Sequence, residues 1–219
     1  MKKMLLLGGG TWHDCAACSK SLISAFSGQV ECDYTEDPNK LAPESLNKYD
    51  VLSMYTCLGA EDDGLTDKSR ANMPMELRKS VEDFVRNGKP FIPLHSTMCS
   101  YTDWAGLGEI VGIRWVWGTS FHGPLETYRL KMNKNHPLAG RFQEFEIHDE
   151  LYRKLKVIRP VDVLMTAFAE GGDQPHAWTT TYGKGKVFFW GPGHTRETLG
   201  IPEVQKLLAT GLKWALEGG

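Results

Sequence analysis

Lys89-Pro-Phe-Ile-Pro-Leu-His95-Ser-Thr-Met-Cys99 is the stretch on which the fold reading turns. Phe91 to Leu94 reads as a short apolar strand that stops at a histidine, followed by small polar residues and a helix start. In an open parallel sheet, side chains just past the carboxyl end of a strand face the crevice where ligands bind. Some α/β enzymes hold a nucleophile at this kind of strand–turn–helix corner. Here the corner carries an imidazole, and several of the other six histidines also fall where strands are expected to end.

Working outward, Lys3 to Gly8 is a nearly continuous apolar strand, as expected where both faces of a parallel sheet are covered. Gly8-Gly9-Gly10 permits a turn with positive φ, and Asp14 is placed to cap a helix whose stripe is Leu22, Ile23 and Phe26. Val30–Tyr34 and Asp50–Tyr55 are the next strands, the latter followed by a long polar loop through Asn72. Leu77, Val81, Phe84 and Val85 share one helical face. After the Phe91–His95 strand a short helix is expected near Tyr101–Leu107. The pattern then becomes strand-rich: 113–119, 125–132, 145–151, 162–168, 176–182 and 186–190, closed by a helix from Pro202. These features predict an α/β fold, flavodoxin- or Rossmann-like: a mostly parallel sheet with helices on both faces, extended in the second half by partly antiparallel strands. They predict a single domain over residues 1–219.

Composition narrows the functional classes. The chain has 219 residues, 41% hydrophobic and 24% charged, with a net charge of −2 and no run of like charges. A nucleic-acid partner therefore has no electrostatic footprint. The apolar run Met4–Leu7 is too short for a signal peptide core, and nothing approaches a membrane span. Five cysteines without a secreted scaffold's spacing predict a reduced, cytoplasmic protein.

Three histidines, His13, His95 and His194, follow expected strands, so a parallel sheet would gather them at one edge. His122 lies in a loop, and His136 and His176 read as turn and strand residues. Imidazoles exchange protons near neutrality and ligate zinc and similar metals. His148-Asp149-Glu150-Leu151-Tyr152 adds carboxylates, and strand alternation would point His148 and Glu150 one way and Asp149 the other. Cys15-Ala-Ala-Cys18 at a helix start has a redox reading, but without a second CxxC inward packing is the better one. The glycine run lacks both the GxGxxG frame and the P-loop lysine, so no nucleotide cofactor is expected. Ser96, beside His95, has a nucleophile reading, but the GxSxG frame is absent and a hydroxyl that caps the following helix is the better one. Trp12 and Trp178 are the tryptophans assigned to a cleft, and Trp115 and Trp214 are assigned to the core.

Taken in order, these segments resemble the ThuA-like (trehalose-utilisation) family of the class I glutamine amidotransferase-like superfamily. The matching segments are Gly-Gly-Gly-Thr-Trp-His13, Leu94-His95-Ser96, Phe121-His122, Asn135-His136-Pro137-Leu138-Ala139-Gly140 and Asp149-Glu150-Leu151-Tyr152. Pro175-His-Ala-Trp178, Tyr182-Gly-Lys-Gly-Lys-Val-Phe-Phe, Gly193-His194 and Leu-Lys-Trp214-Ala complete them. The resemblance implies a glutamine amidotransferase-like fold in which His95 replaces the corner cysteine, so thioester chemistry is lost. It also implies catabolism of trehalose or related glycosides alongside a sugar dehydrogenase. Pro93 departs from the pattern, standing where glycine is expected.

The expected activity is that of an enzyme acting on trehalose-type glycosides or keto-sugar derivatives, a lyase, hydratase or hydrolase but not a glutaminase. His95 or Glu150 would be the base, with His122, His194 and Asp149 polarising oxygens directly or through a divalent metal, zinc or similar, on His95, His122 and His194. Trp12, His13, Ser96, Tyr152 and Trp178 would bind the sugar. The partners expected are a small-molecule sugar and, for the chain itself, a second copy in a homo-oligomer; neither nucleic acid nor membrane is among them. The competing class is a sugar-binding or regulatory module that kept the cleft without the chemistry.

Overall fold

The computed structural model describes residues 1–58, 73–140 and 142–217; most of the polar loop expected through Asn72 lies outside them. In chain order the elements begin β1 (Lys2–Gly9), α1 (Cys15–Phe26), β2 (Val30–Thr35), α2 (Pro43–Leu46), β3 (Val51–Thr56) and α3 (Met75–Arg86). There follow β4 (Phe91–Pro93), α4 (Ala105–Val111), β5 (Ile113–Arg114), β6 (Glu126–Met132), β7 (Phe145–Asp149) and β8 (Lys156–Val157). The last are β9 (Asp162–Ala169), β10 (Gly172–Tyr182), β11 (Gly185–Trp190), α5 (Arg196–Leu199) and α6 (Pro202–Leu216).

Nine strands form one sheet in the order β2-β1-β3-β4-β11-β10-β9-β6-β7. β2, β1, β3, β4 and β11 run parallel, and β11 to β7 pair antiparallel. This is the α/β architecture expected, with the antiparallel half built by the later strands. The pleat of β1 explains the continuous apolar run: Met4 and Leu6 enter the layer under α1 and α6, whereas Leu5 and Leu7 enter the layer under α3 and α4. Burying each such side chain contributes about 1.5–3 kcal/mol.

The parallel strand order 2-1-3-4 reverses direction between β1 and β3, and in open α/β sheets ligands bind at that switch, outside the carboxyl ends. Gly10 makes the turn there tight: its φ is +116°, and a Cβ would lie 2.4 Å from the Cys57 carbonyl at the end of β3. No helix among the described residues is long and apolar enough to cross a membrane.

Three sequence expectations are corrected. The helix expected near Tyr101–Leu107 runs instead over Ala105–Val111, because Tyr101 has a left-handed φ of +51° and the helix ends on left-handed Gly112. The strand expected over 113–119 stops at Arg114, and the chain turns through Trp115–Ser120, closed by Ser120 N–H donating to the Val116 carbonyl at 2.8 Å. The strand expected from His176 begins at Gly172 and carries a bulge between Pro175 and Ala177. A bulge re-aims the backbone, and here the His176 carbonyl accepts the Gly191 N–H at 2.7 Å.

Candidate active site

The carboxyl edge of the parallel strands gathers the three strand-end histidines. His13 follows β1, His95 follows β4 and His194 follows β11. His95 holds a φ of +48°, a left-handed conformation that costs an ordinary L-residue roughly 1–2 kcal/mol. Its surroundings fix it there. Leu94 N–H donates to the Met54 carbonyl at 2.9 Å, and Thr97 Oγ1 donates to the same carbonyl at 2.7 Å. His95 Nδ1 is 2.7 Å from the Gly191 carbonyl, the residue positioned by the β10 bulge. A carbonyl only accepts, so Nδ1 carries the proton and the neutral ring turns the lone pair of Nε2 into the site.

His95 Nε2 lies 3.0 Å from His13 Nε2 and 3.5 Å from Glu150 Oε2. His194 Nδ1 is 2.9 Å from Glu150 Oε1, an ion-pair contact off the line of an aligned hydrogen bond. His122 Nε2 is 3.4 Å from the same oxygen, and its Nδ1 donates to the Gly123 carbonyl at 2.7 Å. The Tyr152 hydroxyl is 3.1 Å from His95 Nδ1, with its ring stacked on the imidazole.

Burial, with the neighbouring His95 and His194, pushes the His13 imidazole down to about 2. His95 is likewise lowered by burial, against the pull of Glu150. His194 moves the other way, raised by its contact with Glu150. Burial alone would raise the Glu150 carboxyl, but its histidine neighbours, His194 foremost, hold it at about 2. His13 and His95 are therefore neutral imidazoles near pH 7, beside an ionised carboxylate. One ligand atom from each of His13, His95, Glu150 and His194 falls within 4.8 Å of the others. This donor set suits zinc or a similar divalent ion, which takes neutral imidazole and carboxylate ligands. Two nitrogens bound to one tetrahedral zinc stand about 3.3 Å apart, close to the His13–His95 separation. The cluster could hold a metal ion, with His13 and Glu150 in the set and His122 beside it rather than within it.

Above the cluster opens a pocket of about 330 Å³, walled by Trp12, Trp115, Trp117 and Tyr152 and reached by Ser96, Cys57 and Cys99. The sequence placed Trp115 in the core. It is buried there, as expected, and it also walls the pocket, its ring 5.2 Å from Tyr152 and 5.9 Å from His122, because the chain turns at 115. The Trp-x-Trp pair ahead of Gly118 was the available signal. Trp178, expected in the cleft, is fully buried, stacked 4.0 Å from Phe189, and its Nε1 donates to the Val111 carbonyl. Trp178 is no part of the pocket.

Asp149 is also reassigned. Its carboxylate is wholly buried and accepts the backbone N–H groups of Glu150 at 2.8 Å, Gly193 at 3.2 Å and His194 at 3.1 Å. It ties the Glu150 turn to the His194 loop instead of facing substrate. The alternation expected across 148–150 fails because β7 ends at Asp149. His148 stays outside, 3.1 Å from Thr127 Oγ1, while Asp149 and Glu150 both turn inward. Ser96 caps nothing; its buried hydroxyl has no hydrogen-bond partner at the pocket wall. Cys15 and Cys18 are buried, their thiols raised by desolvation, Cys15 to about 11.

An α/β sheet with a histidine–carboxylate cluster at its carboxyl edge, roofed by aromatic rings, defines a class of α/β proteins in which the strand-end corner carries no thiolate. Within that class the chain belongs to the ThuA family, described as trehalose utilisation, whose model matches residues 3–215. The family gives it a carbohydrate-related role. A ThuA-like protein from Parabacteroides merdae is 21% identical with a TM-score of 0.79, covering 99% of this chain and 90% of that one. A cytoplasmic protein from Salmonella typhimurium LT2 is 17% identical with a TM-score of 0.69, over 97% of this chain and 99% of that one. A β-galactosidase from Bacillus circulans is 12% identical at 0.61, where 97% of this chain covers 31% of that one. These likenesses show the fold. No match to a curated protein was found.

Proposed function

We propose that this pocket is the active site of a carbohydrate-catabolising enzyme that acts on trehalose-type glycosides or their keto-sugar derivatives by histidine–carboxylate acid–base chemistry, assisted by a divalent metal. The observation that carries the reading is the convergence of His13, His95, His194 and Glu150 beneath an aromatic pocket. In this reading those four residues hold the ion. A divalent ion held there would supply Lewis acidity towards a substrate carbonyl or hydroxyl oxygen.

The remaining chemistry belongs to the chain. His122 stands at the pocket wall, half-exposed, with its Nδ1 proton committed to the Gly123 carbonyl and Nε2 turned towards Glu150 and the pocket. It takes a proton from substrate at Nε2 when neutral and returns one when charged. This reassigns the base from His95, whose Nε2 is enclosed by His13 and Glu150. Tyr152 fixes the His95 ring by stacking, and the tryptophans present flat faces to the C–H surface of a sugar. A sugar dehydrogenase is the reaction class that supplies a keto-sugar. A cytoplasmic setting suits the free thiols of Cys15, Cys18, Cys32 and Cys99.

The test is metal analysis of the purified protein, together with turnover of keto-trehalose by the wild type, His122→Ala, His95→Ala and Glu150→Gln. The expected result is about one equivalent of metal, reduced in the last two variants, and turnover at least about 100-fold lower in all three. Unchanged turnover in His95→Ala and Glu150→Gln would remove the assignment.

A further inference from the structure

One peptide plane joins Gly193 to His194, and both of its polar atoms are held by buried side chains. Its carbonyl accepts the Tyr55 hydroxyl at 2.6 Å, and its N–H, that of His194, donates to Asp149 Oδ2 at 3.1 Å. Tyr55 is 1% exposed and Asp149 is wholly buried, so both bonds form in a low-dielectric interior, where they are strong. A peptide unit is planar and stiff. Gripping it at both the oxygen and the nitrogen therefore fixes where the next Cα stands, the one from which the His194 imidazole projects.

The two holders come from opposite halves of the sheet. Tyr55 lies near the end of β3, an inner strand that pairs with β1 at Gly8 and, one residue earlier, with β4 through Met54 and Pro93. Asp149 closes β7, the edge strand on the antiparallel side. Groups set on inner strands are placed more precisely than groups set on loops, so Tyr55 is the fixed point and the His194 loop is what it locates. The close fit continues at Gly193, where a Cβ would come within 3.2 Å of Leu199 Cδ2 and 3.4 Å of the His95 Cβ.

Resting on the metal reading above, we propose that Tyr55 is a positioning residue of the histidine–carboxylate centre: its hydroxyl sets the Gly193–His194 peptide, and through it the reach of His194 towards Glu150 and the ion. Without that oxygen the Gly193 carbonyl loses a buried donor, and the peptide is free to rotate about its remaining hold on Asp149. A merely structural tyrosine would weaken all four donors alike, whereas this one acts through His194.

Tyr55→Phe keeps the ring and removes the oxygen. Zinc affinity is measured by chelator competition for the wild type, Tyr55→Phe, His194→Ala, His13→Ala and the two double variants that combine Tyr55→Phe with each alanine. The expected loss from Tyr55→Phe is about ten-fold in the wild-type background, the size of losing an outer partner of a ligand. It should stay about ten-fold in His13→Ala and fall to a ratio near one in His194→Ala, because changes that act through one residue are not additive. No loss in the wild-type background, or an equal loss in all three, overturns the positioning role and leaves the metal site standing. A wild type that binds no zinc overturns the role and the metal reading together. Should Tyr55→Phe fail to fold, 3-fluorotyrosine at position 55 keeps the hydroxyl and carries the test. Its fluorine resonance is expected to move on zinc addition in the wild-type background and to stay in His194→Ala; the same response in both overturns the role.

Discussion

His13 Nε2 and His95 Nε2 meet at 3.0 Å from strands β1 and β4, which are not neighbours in the sheet but are separated by β3. With His95 Nδ1 holding the Gly191 carbonyl, its Nε2 bears a lone pair aimed at the other ring. Two imidazoles so placed share either one proton or one cation. The Tyr55 ring lies against both, stacked 6.0 Å from His95 and edge-on 5.7 Å from His13.

Removing either ring therefore removes a metal donor. His13→Ala and His95→Ala are each expected to weaken zinc binding by more than about 100-fold, beyond the 10–100-fold typical of losing only an outer partner of a ligand. Competition titration with a chromogenic chelator measures it. Equal affinity in His13→Ala would place the ion, if any, elsewhere.

Asp149 acts at one remove, by holding three backbone N–H groups on two separate loops. Asp149→Asn keeps the shape but turns an amide N–H₂ towards those donors. The expected loss is about 2–3 kcal/mol, the range for hydrogen bonds to a charged group, seen as a Tm lower by roughly 4–12 °C for a chain of this size. Metal affinity should fall in parallel, because Glu150 and His194 are the residues so held. A variant with wild-type Tm and metal affinity would contradict the tethering role.

The strand-end histidines were legible because a parallel sheet brings every carboxyl end to one edge, so sequence order becomes spatial proximity. Glu150 and the correct partner of His95 were harder to read. Whether residues 148–150 alternate depends on where β7 stops, and that is decided by Asp149 finding backbone donors 44 and 45 residues away. The cleft assignment of Trp178 fails for a related reason. Trp115 and Trp178 both lie in the core, and only the turn at 115 brings Trp115 to the pocket as well, whereas the central place of β10 in the sheet keeps Trp178 out of it.

The separate places of Trp178 in the core and Trp12 at the pocket are measurable. Trp178→Ala should destabilise by about 3–5 kcal/mol, the usual cost of emptying a large aromatic site. Trp12→Ala should leave the urea midpoint within error while weakening sugar binding about five-fold, as expected for the loss of a stacking contact of roughly 1 kcal/mol. The reverse pattern would undo the assignment of both rings.

The buried Cys15 thiol, raised to about 11 from an ordinary 9.0, is two powers of ten poorer in thiolate at neutral pH. Iodoacetamide should alkylate it about 100-fold more slowly than an exposed cysteine in the native protein and at the normal rate in urea. Fast native alkylation of Cys15 would revive a redox role for the CxxC.

The buried histidines also set how the metal-free protein responds to acid. His95 and His176 are both nearly wholly buried, and burial lowers both, His176 to about 4. In the unfolded chain each regains a pKa near 6.5, so between that value and the folded one the unfolded state binds more protons. Stability then rises with pH, and falls on acidification, by about 1.4 kcal/mol per pH unit for each such group. His13, lowered to about 2, acts in the same direction. Glu150 joins only below about pH 4.5, where the unfolded carboxyl takes a proton that the folded one refuses down to about 2. His194 works oppositely: its raised pKa stabilises the fold below about 6.5, and that contribution is lost as pH climbs through the folded value. The metal-free protein should therefore lose at least about 2 kcal/mol between pH 6 and pH 5, measured by urea denaturation at each pH. His176→Gln, which removes one titrating side chain outside the metal donor set and keeps the backbone carbonyl that holds Gly191, should flatten that slope by roughly one proton's worth. A slope that stays flat in the wild type would mean that these rings are already charged or already exposed in the fold.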